Sequence, residues 1–257
     1  MRARYDQHFL IDDGVADAIL AAAGIKPGDT VIEIGPGAGV LTRRILARGA
    51  ALTAVEVDPK LIPGLERRFT DAENFSLLHA DFLKLDLARL PRPAVVVSNL
   101  PYSVGTPILQ RLLDWPGWEL AVLMLQREVV DRVLSSPGSR AYGPLTLSVA
   151  LKAEVEPVCE AGPECFQPPP KVSSSVMRLH RFAKIRLPDK VKEADFFRVV
   201  KAAFGQRRKM AAKSAASVLG IDRAAADAAF LACGLDPKAR AETLSLDDFI
   251  ALTRKLA

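Results

Sequence analysis

The sequence is poor in the residues that build covalent or metal staples. It has three cysteines in 257 residues, an odd number with no C-x-x-C spacing, which excludes a disulfide framework and argues against a zinc site. Its three histidines, His8, His79 and His180, lie far apart and none falls in a ligand motif, so no metal is expected. Long apolar runs are missing too. Ala18–Ala23 is the longest strictly apolar stretch near the N-terminus, far short of the ~18–20 residues that cross a bilayer. The opening Met1-Arg-Ala-Arg-Tyr-Asp has no apolar core behind it and is too acidic for a typical transit peptide. Repeats and low-complexity tracts are absent. These gaps point to a reducing, aqueous setting, expected to be the cytoplasm, with no membrane contact.

What is present is ordinary globular material, 49% hydrophobic and 25% charged. Its charge is uneven. The net +5 conceals 20 basic and 21 acidic side chains in residues 1–182, against 15 and 9 in residues 183–257. A near-neutral body with a basic tail suggests a polyanionic partner, although a solvated basic face would look the same.

Elements alternate along the first part. A helix over 13–23, capped by Asp12 or Asp13 and ended by Gly24, precedes the β-branched run Thr30–Ile34. Strands at 51–57, 76–79, 94–98 and 120–125 follow, separated by helical stretches at 40–48, 59–69 and 105–114. Helices at 127–135 and 144–152 come next, then strands near 153–158 and 172–181. Near-continuous apolar strands such as Ala94-Val-Val-Val97 fit a sheet covered on both faces. The expectation is an α/β fold with a Rossmann-like, mostly parallel sheet in residues 1–182. Phe166-Gln-Pro-Pro-Pro-Lys171 cannot be helix or central strand. Residues 183–257 read as a small α-helical domain, with an amphipathic helix carrying Phe196, Val199, Val200, Ala203 and Phe204, and a capping box at Ser245–Asp248.

Chemistry-bearing residues recur at the expected strand ends. Glu33-Ile-Gly35-Pro-Gly37-Ala-Gly39 follows a strand and opens a helix, and its glycines let backbone approach a ligand. The dinucleotide fingerprint would need glycine at position 40, which is Val40. The loop instead looks like motif I of S-adenosylmethionine (SAM) methyltransferases. Glu56 ends the next strand, where a carboxylate can accept from a ribose diol. Asp81 follows the third, where it can accept from an exocyclic amine. Each alone could be a turn or cap residue; three in order on successive strand ends carry more weight.

Asn99-Leu100-Pro101-Tyr102 after the fourth strand is the sharpest signal. The lone pair of adenine N6 is delocalised and a poor nucleophile. Hydrogen bonds from its N–H groups to the Asn99 amide oxygen and the Leu100 carbonyl would localise that pair. Pro101 stiffens the loop and Tyr102 can stack on the base. The barrier would fall through positioning and oriented dipoles.

With these pieces, and with Gln7-His-Phe-Leu10, Phe166-Gln-Pro-Pro-Pro-Lys-Val172, Phe204-Gly-Gln-Arg-Arg-Lys209 and Arg240-Ala-Glu-Thr-Leu244, nearly the whole chain resembles the small-subunit ribosomal RNA adenine N6-dimethyltransferases of the KsgA type. The resemblance implies that His8, Leu10, Gly35, Gly37, Glu56, Asp81 and Asn99 contact SAM. It also implies that Phe166 is a second stacking wall opposite Tyr102. His8 replaces a frequent Asn, and Asp6 stands where Gly is expected. The implied activity is dimethylation of two adjacent adenosines near the 3′ end of small-subunit rRNA, by a monomer acting on rRNA or the immature subunit. Arg207, Arg208, Lys209 and Lys213, four cations within seven residues with no acid among them, are candidate phosphate contacts. Two rivals stay open: a large-subunit adenine methylase of the antibiotic-resistance type, and a non-catalytic RNA-binding assembly or transcription factor.

Overall fold

A computed structural model describes residues 7–206 and 209–256. Its strands are β1 (Phe9–Leu10), β2 (Thr30–Ile34), β3 (Ala51–Glu56), β4 (Phe75–His79), β5 (Ala94–Asn99), β6 (Trp118–Gln126), β7 (Ala153–Ala161), β8 (Phe166–Gln167) and β9 (Ser174–Arg181). The α-helices are α1 (Asp13–Ala23), α2 (Val40–Leu46), α3 (Ile62–Arg68), α4 (Gly105–Asp114), α5 (Arg127–Leu134), α6 (Pro144–Lys152), α7 (Glu193–Phe204), α8 (Ala211–Leu219), α9 (Arg223–Ala232) and α10 (Leu246–Leu256). Among the described residues, no helix is long and apolar enough to cross a membrane.

The chain forms two compact units. The first holds the residues up to Val130 together with Glu154–Arg181. Its main sheet has the order β4-β3-β2-β5-β6-β9-β7. Strands β2 to β6 run parallel, and β9 is antiparallel to β6. The chain builds outward from β2 to β4 and then crosses back to lay β5 on the other side of β2. The order therefore reverses between β2 and β5, the crevice where open α/β sheets hold ligands. Apolar runs on these strands are buried on both faces, as in Val31, Ile32, Val96 and Val97, all at 0% exposure. Helix α1 packs Ala16, Ile19 and Leu20 into the same core as Val31, Leu52, Val97 and Met124. Its cap is Asp12, whose Oδ1 accepts from Val15 N at 2.8 Å, and Gly24 ends it with φ +59°.

A second, two-stranded sheet pairs β1 with β8 antiparallel, Leu10 opposite Phe166 and Phe9 opposite Gln167. The Pro-rich segment is thus kept out of the central sheet, as its missing N–H donors require.

The second unit holds Asp131–Ala153 together with the residues from Phe182 onward. Residues 131–153, expected in the first domain, belong instead to this second unit. Leu147 and Leu151 of α6 are buried among Phe196, Val199, Phe230 and Phe249 of α7, α9 and α10. The Tyr142 hydroxyl donates to the Leu244 carbonyl at 2.8 Å, and burial pushes its pKa up to about 12. Lys152, 3% exposed, pairs with Glu193 at 2.5 Å. Helix α8 was not anticipated. The Ser245–Asp248 capping box is present, with Ser245 N donating to Asp248 Oδ2 at 2.8 Å and Asp248 N donating to Ser245 Oγ at 3.1 Å.

The Tyr142 bond ties residues of the inserted segment to the chain just ahead of α10. Tyr142→Phe leaves the Leu244 carbonyl buried without that donor and should destabilise the protein by about 1–2 kcal/mol, read as a lower urea midpoint. An unchanged midpoint would mean the bond adds nothing to the second unit.

Candidate active site

The parallel strands of the first unit deliver their C-terminal ends to one edge, and a cavity of about 320 Å³ opens there. Its lining includes His8, Leu10, Gly35, Gly37, Glu56, Asp81, Asn99, Leu100, Pro101 and Tyr102. These positions, singled out in the sequence from five separate stretches, are therefore brought together.

The glycine loop forms the floor. Gly35, Gly37 and Gly39 have φ values of +69°, +57° and +82°, a region side-chain-bearing residues rarely adopt. A Cβ at Gly37 would lie 3.1 Å from the Phe9 ring, and one at Gly39 2.9 Å from Phe69. The loop is pinned to β3 by Glu56, which is 4% exposed. Glu56 Oε2 accepts from Gly37 N at 3.2 Å, and Oε1 accepts from Val57 N and Asp58 N at 2.9 and 2.8 Å. Gln7 in turn donates to Asp58 Oδ2 at 3.0 Å, drawing the N-terminal segment over the site. Asp81 caps its own turn, accepting from Leu83 N at 2.9 Å, while lining the cavity.

Asn99 is the last residue of β5, in register with Met124. Its Nδ2 donates to the His8 carbonyl at 3.2 Å, which makes Oδ1 the acceptor end of a held amide. The His8 contact is thus a backbone one, and it does not depend on which side chain stands at position 8. The His8 ring makes a different bond, Nδ1 to the Pro168 carbonyl at 2.7 Å, and lies 5.3 Å from the Tyr102 ring. A carbonyl only accepts, so Nδ1 carries the proton. The Tyr102 hydroxyl shares a 2.6 Å hydrogen bond with Ser174 Oγ.

Phe166 is placed otherwise than expected. It is 2% exposed, belongs to the apolar core with Leu10 and Cys165, and is not among the cavity-lining residues. Its partnership with Leu10 in the β1–β8 ladder puts its ring in the core. Phe9 lines the cavity and was not proposed from sequence, although it stands inside the Gln7–Leu10 segment. Nothing in the run Ser173-Ser-Ser175 marked Ser174. Arg207 and Arg208 lie outside the described residues, as does Asp6; Lys209 and Lys213 are exposed in the second unit.

Glu33 sits beneath the loop, 1% exposed, accepting from Thr42 Oγ1 at 2.6 Å. Burial pushes its pKa from the ordinary 4.5 up to about 7; the Thr42 bond opposes the shift and the nearby Glu56 adds to it. Between those two values the folded chain keeps a proton that the unfolded chain has released, so stability falls as pH rises through the window. The loss from this group is roughly 3 kcal/mol. Glu33→Gln should therefore gain stability relative to the unsubstituted protein as pH rises from 5 to 7.5, measured by urea unfolding. Parallel pH profiles would contradict a buried neutral acid.

Comparison with known proteins bears on the same architecture. The family model for ribosomal RNA adenine dimethylase matches residues 1–257. The ribosomal RNA small subunit methyltransferase A of Synechococcus elongatus is 41% identical, over 99% of this chain and 95% of its own length. That of Methylococcus capsulatus is also 41% identical, over 99% and 97%. Among solved structures, a dimethyladenosine transferase from Plasmodium falciparum superposes with a TM-score of 0.80 at 26% identity, covering 95% of this chain and 96% of that one. The 23S rRNA methyltransferase ErmE gives 0.73 at 27%, covering 96% and 99%. A family match along the full length, joined to relatives at 41% identity, shows that the chain belongs to the ribosomal RNA adenine dimethylase family, SAM-dependent methyltransferases of rRNA adenine.

Proposed function

We propose that this chain dimethylates N6 of two adjacent adenosines near the 3′ end of small-subunit rRNA, acting as a cytoplasmic monomer on the immature subunit. The observation that carries the chemistry is the Asn99 amide, held by the His8 carbonyl at the cavity wall within Asn-Leu-Pro-Tyr. The small-subunit assignment rests on the names of the 41%-identical relatives.

The lining suits SAM. The volume lies within the range of cofactor-sized clefts. The glycine floor holds left-handed backbone at Gly37 and Gly39 that side-chain-bearing residues rarely adopt, and Glu56 and Asp81 present carboxylates for a ribose diol and an adenine amine. His8, Leu10 and Gly35 complete the enclosure. When bound, SAM supplies an activated methyl group.

This chain's residues prepare the acceptor. The target base is unstacked into the cavity and packs on Tyr102, a contact worth about 1–3 kcal/mol. In the first transfer one N6–H donates to Asn99 Oδ1 and the other to the Leu100 carbonyl, and in the second the single remaining N6–H donates to one of these acceptors; this draws the nitrogen toward a tetrahedral shape and its lone pair toward the methyl donor. The methylated nitrogen is itself acidic and loses its proton to water, so a strong general base is not required. Because the Asn99 amide is already held before substrate arrives, little reorganisation remains for the transition state. The second unit supplies the grip, through exposed cations including Lys209 and Lys213, with Arg207 and Arg208 read from sequence alone.

Incubation with SAM and unmethylated ribosomal subunits, followed by mass spectrometry of rRNA fragments, should find dimethyladenosine near the 3′ end of the small-subunit rRNA. Asn99→Ala should cut transfer about 100-fold or more with only a modest loss of SAM affinity by calorimetry. The likeness to ErmE favours one alternative, and methyl groups found on large-subunit rRNA instead would establish it. Near-normal turnover in Asn99→Ala would overturn the mechanism. Failure to bind SAM would favour a non-catalytic assembly role.

For the second unit, joint charge reversal Lys209→Glu and Lys213→Glu should weaken RNA binding. It should also flatten the slope of log affinity against log salt by about 2, one for each phosphate that is no longer neutralised. An unchanged slope would make these lysines a solvated face.

A further inference from the structure

We infer that Ser174 is a positioning residue for Tyr102, and that the segment from Phe166 to Ser174 serves the site in part through Pro168 and Ser174. The inference rests on the reading of Tyr102 as the wall on which the target base stacks.

A hydroxyl at 0% exposure is costly unless it is hydrogen-bonded. Ser174 Oγ meets that requirement with the Tyr102 hydroxyl, 72 residues away, at 2.6 Å. The backbone holding it is hydrogen-bonded into the sheet. Ser174 opens β9 and lies opposite Gln126 of β6, and Ser173 O accepts from Arg127 N at 3.0 Å. Since β9 runs antiparallel to β6, its first residue falls at the edge where β6 ends. That is the edge at which Asn99 ends β5. Position 174 is thus the place on β9 from which a side chain reaches the cavity wall.

Tyr102 sits in a short turn rather than a regular element. Its ring is restrained from at least two directions. Ser174 holds the hydroxyl end. The His8 ring lies 5.3 Å from its centre with the planes tilted by 33°, and is itself held by the Pro168 carbonyl at 2.7 Å. Both restraints originate in the stretch 168–174. Phe166 is buried with Leu10 and lines no part of the cavity. A ring oriented in advance does not have to be ordered each time a base enters, so the benefit appears in the rate of transfer.

Ser174→Ala should lower kcat about 10-fold, as expected for one lost hydrogen bond at a positioned group, with SAM affinity by calorimetry changed less than about 2-fold. Tyr102→Phe, which keeps the ring and removes the hydroxyl, should reproduce that loss without touching a fully buried position. The double variant should be no slower than either single one, because both remove the same bond. With 2-aminopurine at the target position of an RNA fragment, both variants should show weaker stacking quench than the unsubstituted protein. An unchanged kcat in Ser174→Ala, or additive losses in the double variant, overturns the inference. Tyr102→Ala separates it from the reading beneath it. If Tyr102→Ala abolishes transfer while Ser174→Ala leaves kcat unchanged, stacking stands and the positioning role falls. If Tyr102→Ala transfers normally, the stacking role falls and the positioning role with it.

Discussion

Three backbone N–H groups from two loops converge on one carboxylate, and the site is assembled around that convergence. Gly37 comes from the turn after β2, and Val57 and Asp58 from the turn after β3; all three donate to Glu56. A nearly buried carboxylate is tolerable only with such charge-assisted bonds. In return it sets the height of the glycine floor and the direction in which Glu56 faces the cavity. Asp58 extends the arrangement by accepting from Gln7, so the N-terminal segment is referred to the same strand end.

Beside it lies the opposite solution to the same problem. Glu33 is met by Thr42, through its hydroxyl and its backbone N–H, and burial raises its pKa to about 7. Two acids on adjacent strands, facing one floor, thus differ in how burial is tolerated. Glu56 uses directed hydrogen bonds, whereas Glu33 can hold its proton.

Much of this was legible locally. The Asp12 cap, the Gly24 stop, the β-branched strands and the Ser245–Asp248 box follow from propensities that act within a few residues. Glu56, Asp81 and Asn99 were legible because parallel strands must all end at one edge, so a polar residue just after each apolar run is aimed at the same place. The rest involved partners far apart in sequence. The bond from the His8 ring to Pro168 spans 160 residues. Tyr102 and Ser174 are 72 apart. Segment 131–153 leaves the first unit and packs its leucines with α7 and α10, a detour that leaves no mark on composition because both units bury the same kinds of side chain. The placement of Phe166 in the core was not legible for a related reason. An aromatic before a proline run reads as a stacking wall, and only its ladder partner Leu10 puts it in the core.

The sequence by itself determined which chemistry the chain can perform. An amide followed by Leu-Pro-Tyr, a glycine loop without the third dinucleotide glycine, and acids on successive strand ends are covalent facts that folding cannot alter. Tertiary structure decided what holds those groups still. Hydrogen bonds to His8, Pro168 and Ser174 form only when β1 meets β8 and β9 lies against β6. Their strength depends on distances of a few ångströms that no local propensity encodes.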